Sequence, residues 1–140
     1  VSTLRHEARE AALRVLYFCE VGRAEPVDAL EAYFAEHALD APEAVRRFTG
    51  ELVRGTIGET TALDELIGRH ASNWRVDRLA MIDRLILRMA AWELAHVPET
   101  PPAVVLNEAI ELARSFGTDE SPRFVNGVLD AIRRALREDA

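Results

Sequence analysis

Between Phe124 and Asp130 the chain reads Phe-Val-Asn-Gly-Val-Leu-Asp, a helical pattern with an Asn-Gly pair in its middle. Glycine inside a helix costs about 1 kcal/mol relative to alanine, so its presence asks for a reason. The physical reason is close approach to the backbone, either by another helix or by an RNA strand. Just upstream, Asn107-Glu108-Ala109-Ile110-Glu111-Leu112-Ala113 and then Ser115-Phe116-Gly117 also carry polar residues or glycine where a plain amphipathic helix would not place them. Helix packing is the simpler account of Asn126 and Gly127, with the asparagine satisfying a buried neighbour, and Asn107 and Glu108 are expected to bond between helices in the same way.

Catalytic chemistry finds little footing. His6, His37, His70 and His96 are scattered, with no two at helical i,i+4 spacing, which argues against a metal cluster. His6 and Glu10 lie one turn apart, the spacing of an ordinary surface contact. Gly50 and Gly55 have the spacing of a phosphate loop, but Thr56 replaces the essential lysine and the segment reads as helix. The single cysteine, Cys19, excludes an intramolecular disulfide and a zinc knuckle, and its place on an apolar helix side suits inert packing. Asp83 and Glu93 sit near opposite ends of one helix and do not form a catalytic carboxylate pair. No enzyme activity, cofactor or metal is expected.

Binding is the alternative, and the charge distribution bears on it. The net charge of −7 argues against nucleic acid, which rewards positive charge through phosphate contact. Residues 21 to 43 set Arg23 against Glu25, Asp28, Glu31, Glu36, Asp40 and Glu43, whereas residues 69 to 88 hold Arg69, Arg75, Arg78, Arg84 and Arg88 against Asp77 and Asp83. An acidic face and a basic stripe on one small protein suit two different partners; a solvated surface of mixed charge is the plainer reading. Every basic side chain is arginine, a residue suited to phosphate forks and base stacking, although genome composition is the better account of the lack of lysine.

The elements that must position these residues are helices. At 140 residues, with 49% apolar and 29% charged residues, the chain has the make-up of one soluble globular domain. No apolar run approaches the roughly 20 residues that span a bilayer, and the start lacks the apolar core of a secretory signal, so no membrane contact and a cytoplasmic location are expected. Leu4, Ala8, Ala12, Val15, Leu16 and Cys19 line one face of a first helix ending near Val21-Gly22. Pro26 opens a second, with Leu30, Tyr33 and Phe34 inward; a long third follows Asp40-Ala41-Pro42, and its glycines predict a bend or break. Asn73-Trp74 punctuates, and Leu79 to Leu94 form the most apolar helix, ending before Pro98. Thr100-Pro101-Pro102 launches a helix that Gly117 closes, and Ser121-Pro122 starts the last one with a serine N-cap. The fold class is all-α, a compact bundle of about seven helices with a break near residues 73 to 78. Trp74 and Trp92 are expected in the core or at that break.

Several of these segments together resemble the bacterial transcription antitermination factors of the NusB family. Arg9, Ala12, Leu16 and Tyr17 match the family's opening helix, and Phe48 with Leu52-Val53-Arg54-Gly55 its third. Asp83-Arg84-Leu85-Ile86-Leu87-Arg88 with Glu93-Leu94 match its middle, and the two C-terminal segments its last helices. The resemblance covers nearly the whole chain and implies two packed helical subdomains of about 1–72 and 73–140. It also implies binding of the boxA element of nascent single-stranded RNA together with NusE, a small-subunit ribosomal protein. That heterodimer joins RNA polymerase and other Nus factors in a complex that resists termination, notably on ribosomal RNA operons.

Carried over by position, the resemblance puts the family's arginine-rich opening on Arg5, His6 and Arg9, and the stacking aromatic on Phe124. Asp119, Glu120 and Arg123 fall in the loop that approaches RNA, and Asp83, Arg84 and Arg88 on the partner surface. Apart from the resemblance, Phe124, two residues after Pro122, is more simply read as stapling the helix start. Family members often begin with consecutive arginines, whereas this chain has Arg5-His6-Glu7. Histidine is largely neutral at pH 7 and Glu7 repels phosphate, which predicts weaker intrinsic RNA affinity and more dependence on the partner. A related fold serves as an N-terminal targeting domain of RNA cytosine methyltransferases; the chain ends at Ala140 without a cofactor-binding domain, which favours a free-standing factor. A purely protein-binding helical domain, or a homodimer, is the remaining alternative.

Overall fold

Local signals set the helix limits. In a computed structural model, which describes the backbone of residues 2–71 and 75–139, the first helix, α1 (Ser2–Gly22), stops where Arg23 takes a left-handed conformation with φ 53°. Proline at the first turn starts α2 (Pro26–His37), because proline has no N–H to lose there and its φ is already helical. The expected long third helix is two, α3 (Glu43–Gly58) and α4 (Thr60–His70), broken at Glu59, whose φ of −122° and ψ of 25° are not helical. After a 3₁₀ turn at Val76–Arg78 come α5 (Met81–His96), α6 (Pro102–Phe116) and α7 (Ser121–Asp139). Among the described residues there are seven α-helices and no strand, so the chain is all-α. The punctuation expected at Asn73-Trp74, and the place of Trp74, lie outside the described residues.

Two units emerge from the helix contacts, Val1–Gly58 and Glu59–Ala140. In the first, α1 packs along α3 and α2 meets both. Its core is built from Ala8, Ala12, Leu13, Val15 and Leu16 of α1, Leu30 and Phe34 of α2, and Val45, Phe48, Leu52 and Val53 of α3. Thr49 is buried in this seam, its hydroxyl 2.6 Å from the Val45 carbonyl and 3.3 Å from that of Ala8. The hydroxyl proton is thereby spent inside the protein, where an unpaired one would cost about 1–3 kcal/mol.

In the second unit α5 is central, meeting α4, α6 and α7. That position explains why it is apolar nearly all round: Leu85, Ile86, Leu87, Met89, Ala90 and Ala91 are all buried. The division expected at about 72/73 stands instead at 58/59, because α4 packs on α5 and α7 and so groups with the C-terminal helices. Glu59, at the break, accepts hydrogen bonds from Trp92 Nε1 at 3.3 Å and meets His96 Nε2 at 3.0 Å. Trp92 is thus half-buried against the start of α4, with the His96 ring 5.1 Å from its own.

Candidate functional site

The turn between α6 and α7 builds a site. Gly117 ends α6 with its N–H on the Ala113 carbonyl at 2.8 Å. A Cβ there would stand 2.5 Å from Ser121 Oγ, so only glycine leaves room for Ser121 to fold back over the turn. Ser121 is buried, and its hydroxyl accepts the Thr118 N–H at 2.9 Å. The expected serine N-cap is therefore replaced: Ser121 is the first helical residue and its side chain braces the turn before it instead of capping an amide of α7.

This brace presents Asp119 and Glu120, both exposed, ahead of α7, and Arg123 and Phe124 in its first turn. Together with Arg78, Leu79, Ala80 and Asp83 they line a cavity of about 640 Å³ in the second unit. Leu79, Ala80 and the half-buried Phe124 give it apolar surface, while the arginines and carboxylates supply donors and acceptors. One oxygen of Asp83, Oδ1, is shut off from solvent without a hydrogen-bond partner among the described residues, as is Nε of the adjacent Arg84. A buried carboxylate oxygen without a donor is costly, and an incoming donor would relieve it.

Electrostatics decides which ligand groups fit. The dipole at the head of α7 favours negative charge, but the Ser121 and Phe124 amides are already bonded, Pro122 has none, and Asp119 and Glu120 supply the charge themselves. Phosphate therefore suits Arg78 and Arg123, and the carboxylates suit amino groups on base edges. An aromatic face beside apolar wall and arginines is the equipment for stacking an unpaired base.

The remaining expected residues fare unequally. Arg5 lies half-buried with its guanidinium 3.9 Å from the centre of the Phe48 ring. Arg9 is only 4% exposed and 5.5 Å from the same ring, so it holds α1 on α3 and its fork is withdrawn from solvent. His6 pairs with Glu10 at 3.5 Å. Arg88 donates two bonds to Asp64, at 2.7 and 2.8 Å, and its side chain is 12% exposed, so it clamps α5 to α4. Arg75 bonds Asp77 at 3.0 Å. The basic stripe of the sequence is consequently not one surface: of its arginines, Arg78 lines the cavity and Arg88 is consumed internally.

The Asn-Gly pair also departs from expectation. Asn126 and Gly127 are exposed, and a Cβ on Gly127 would meet nothing within 4 Å, so no helix of the described chain packs there. Asn107 is exposed as well, not bonded between helices as expected. Leu79 and Ala80 were missed as site residues because an apolar residue beside a helix start reads as core; Arg78 alone carried a signal, through the charge stripe. Cys19 is half-buried, and burial, then Glu25 and Glu20, push its thiol pKa up, which leaves it a poor nucleophile. Among the described residues no group of three or more histidines, cysteines or carboxylates could hold a metal. No described helix is long and apolar enough to cross a membrane.

The model of the NusB family matches residues 6–134. The chain belongs to the NusB family. The transcription antitermination protein NusB of Bacillus licheniformis is 45% identical over 132 residues, covering 94% of this chain and 98% of its own. That of Myxococcus xanthus is 42% identical, with 96% and 97% covered. Among solved structures, T. maritima NusB aligns with a TM-score of 0.86 at 31% identity, over 93% of this chain and 90% of that one. A structure described as the antitermination factors NusB and NusE in complex with dsRNA aligns with a TM-score of 0.87 at 26% identity, over 96% and 99%. These likenesses run through both units, so the NusB fold extends over α1 to α7.

Proposed function

We propose that this protein is a transcription antitermination factor that binds boxA-type single-stranded RNA together with a NusE-type ribosomal protein. It joins the RNA polymerase antitermination complex, notably on ribosomal RNA operons, and acts in the cytoplasm by scaffolding and not by catalysis. The observation that carries this reading is the Phe124 cavity, where an aromatic ring, two arginines and three carboxylates converge in a NusB-family chain. Phe124 stacks a base, Arg123 and Arg78 meet phosphates, and Asp119 and Glu120 accept from base amino groups. Arg5, at the head of α1, adds a phosphate contact once it leaves Phe48. Arg9 contributes through the position of α1 and not by touching RNA.

Asp83 is the partner contact of choice. Its unpaired buried oxygen calls for a donor, which a basic ribosomal protein carries in abundance. Arg84 stands beside it, whereas Arg88 supports the surface from beneath through Asp64.

The test is binding of fluorescent boxA-type RNA, a scrambled strand and an RNA duplex, with and without the NusE-type protein, over a salt series. The boxA strand is expected to bind more tightly than both others, and more tightly again with the partner. Phe124→Ala is expected to cost about 1–3 kcal/mol, the worth of one stacked base. Equal, weak and steeply salt-dependent binding of all three RNAs would overturn the reading in favour of a protein-binding module. Preference for the duplex would overturn the stacking role of Phe124.

A further inference from the structure

The first unit has a concave surface of its own, at the opposite end of α1 from Arg5. Small residues where α1 meets α2, among them Gly22, Ala29 and Ala32, leave a groove of about 330 Å³ whose walls include Phe18 and Tyr33. Phe18 is 50% exposed, Tyr17 42% and Val21 56%, and their i,i+3 and i,i+4 spacing joins them in one apolar stripe on α1. Covering the half of each side chain that stays in water would be favourable.

The surroundings of this stripe are acidic. Glu20, Glu25, Asp28, Glu31 and Glu36 are all exposed on α1, α2 and the connection between them. Against them stand Arg14, one turn before Phe18, with Arg23 and His37, and the His37 ring lies 3.8 Å from the Glu36 carboxylate. Cys19 feels the same field, since Glu25 and Glu20 raise its thiol pKa after burial has done so. Negative charge of this density repels RNA phosphates and anionic lipid. A symmetric pairing of two copies would set each acidic rim against itself.

We propose that this groove docks a basic amphipathic helix of a protein partner. Apolar side chains at i, i+3 or i+4, and i+7 seat against Phe18 and Tyr33, and lysines or arginines beside them meet Asp28 and Glu36. The groove's volume lies at the small end of the range for ligand pockets, room for anchoring side chains and not for a whole element. The inference does not rest on the RNA reading, so RNA binding serves as its control.

The probe is a fluorescein-labelled amphipathic helix peptide of leucine and lysine, compared with the same peptide bearing glutamate for every lysine. Both are titrated into the full chain, into Phe18→Ser and into an Asp28→Lys, Glu36→Lys double variant, with boxA-type RNA binding measured in parallel. Saturable binding of the lysine peptide alone is expected, with backbone amide signals of Ala32 and Tyr33 shifting on its addition. Each variant should weaken it about tenfold while leaving RNA affinity unchanged. Three results would each overturn the inference: no binding; binding that neither variant alters; or dimers in light scattering that Phe18→Ser abolishes, which would make the groove a contact between copies.

Discussion

Two glycines ten residues apart should respond with opposite sign to the same added methyl group. At Gly117 the backbone angles, φ −98° and ψ −161°, suit alanine, so any penalty comes from contacts alone. The new Cβ would lie 2.5 Å from Ser121 Oγ, 2.6 Å from Ser121 Cβ and 2.8 Å from the Ala113 carbonyl oxygen. None of these is the far end of a flexible chain: Ser121 is buried and bonded to Thr118, and Ala113 is backbone. Overpacking of this kind costs about 1–3 kcal/mol. The stiffer unfolded chain returns about 0.4–1 kcal/mol. Gly117→Ala is therefore expected to lose about 1–2 kcal/mol. Gly127, exposed in the middle of α7 with nothing within 4 Å of its Cβ, should instead gain about 1 kcal/mol as alanine.

Thermal melts followed by circular dichroism separate the two, at about 3–5 °C per kcal/mol for a domain of this size. Gly117→Ala should also weaken boxA-type RNA binding, because the same turn carries Asp119 and Glu120. A Gly117→Ala protein as stable as its parent would refute the steric reasoning, and a destabilised Gly127→Ala would refute the open face of α7. If Gly127→Ala gains stability yet loses affinity for RNA or for the NusE-type protein, then a ligand approaches that backbone.

Replacing Arg88 by methionine should cost about 1.5–3 kcal/mol in urea unfolding, because it leaves the half-buried Asp64 without its two charged bonds; any loss of partner affinity should follow stability across Arg88 and Asp64 variants. Arg23→Gly should raise stability by about 1 kcal/mol, since φ 53° strains a residue with a Cβ; an unchanged melting point would exclude strain there. The Asp130 carboxyl is held below the ordinary aspartate range, first by its hydrogen bond from Arg134 and then by the charge of Arg134 and the bond from Arg133. A depressed carboxylate pKa stabilises above the unfolded value and loses that contribution as pH falls through the folded one, so carboxyl titration by NMR should place Asp130 low and move it up in Arg134→Gln. A His6→Arg, Glu7→Arg variant should bind boxA-type RNA more tightly at low salt, and an absence of gain would exclude these positions from the phosphate path.

Helix type and most helix limits were legible in the residues themselves. Pro26, Pro102 and Pro122 sit in first turns, the Gly58-Glu59 break lies within the stretch whose glycines foretold it, and Gly117 ends α6 where it was read to. These are local effects: backbone angles and missing N–H groups act over one turn, so the sequence carries them without the fold. The family, too, was readable from four short segments in order.

What a side chain faces across the fold was not readable. Periodicity tells which face of its own helix a residue occupies, but not which faces other helices cover. Arg9 and Arg88 read as surface cations, yet Arg9 is buried on Phe48 and Arg88 is bound to an aspartate 24 positions away. Gly127 and Asn126 read as packing residues, yet they face outward. The cavity joins Arg78 and Asp83 to a turn far along the chain, and the division falls before α4 because α5 and α7 cover it. The order of residues thus set the helices and the family, while distance in the folded chain chose which charges are spent inside it and which remain for a ligand.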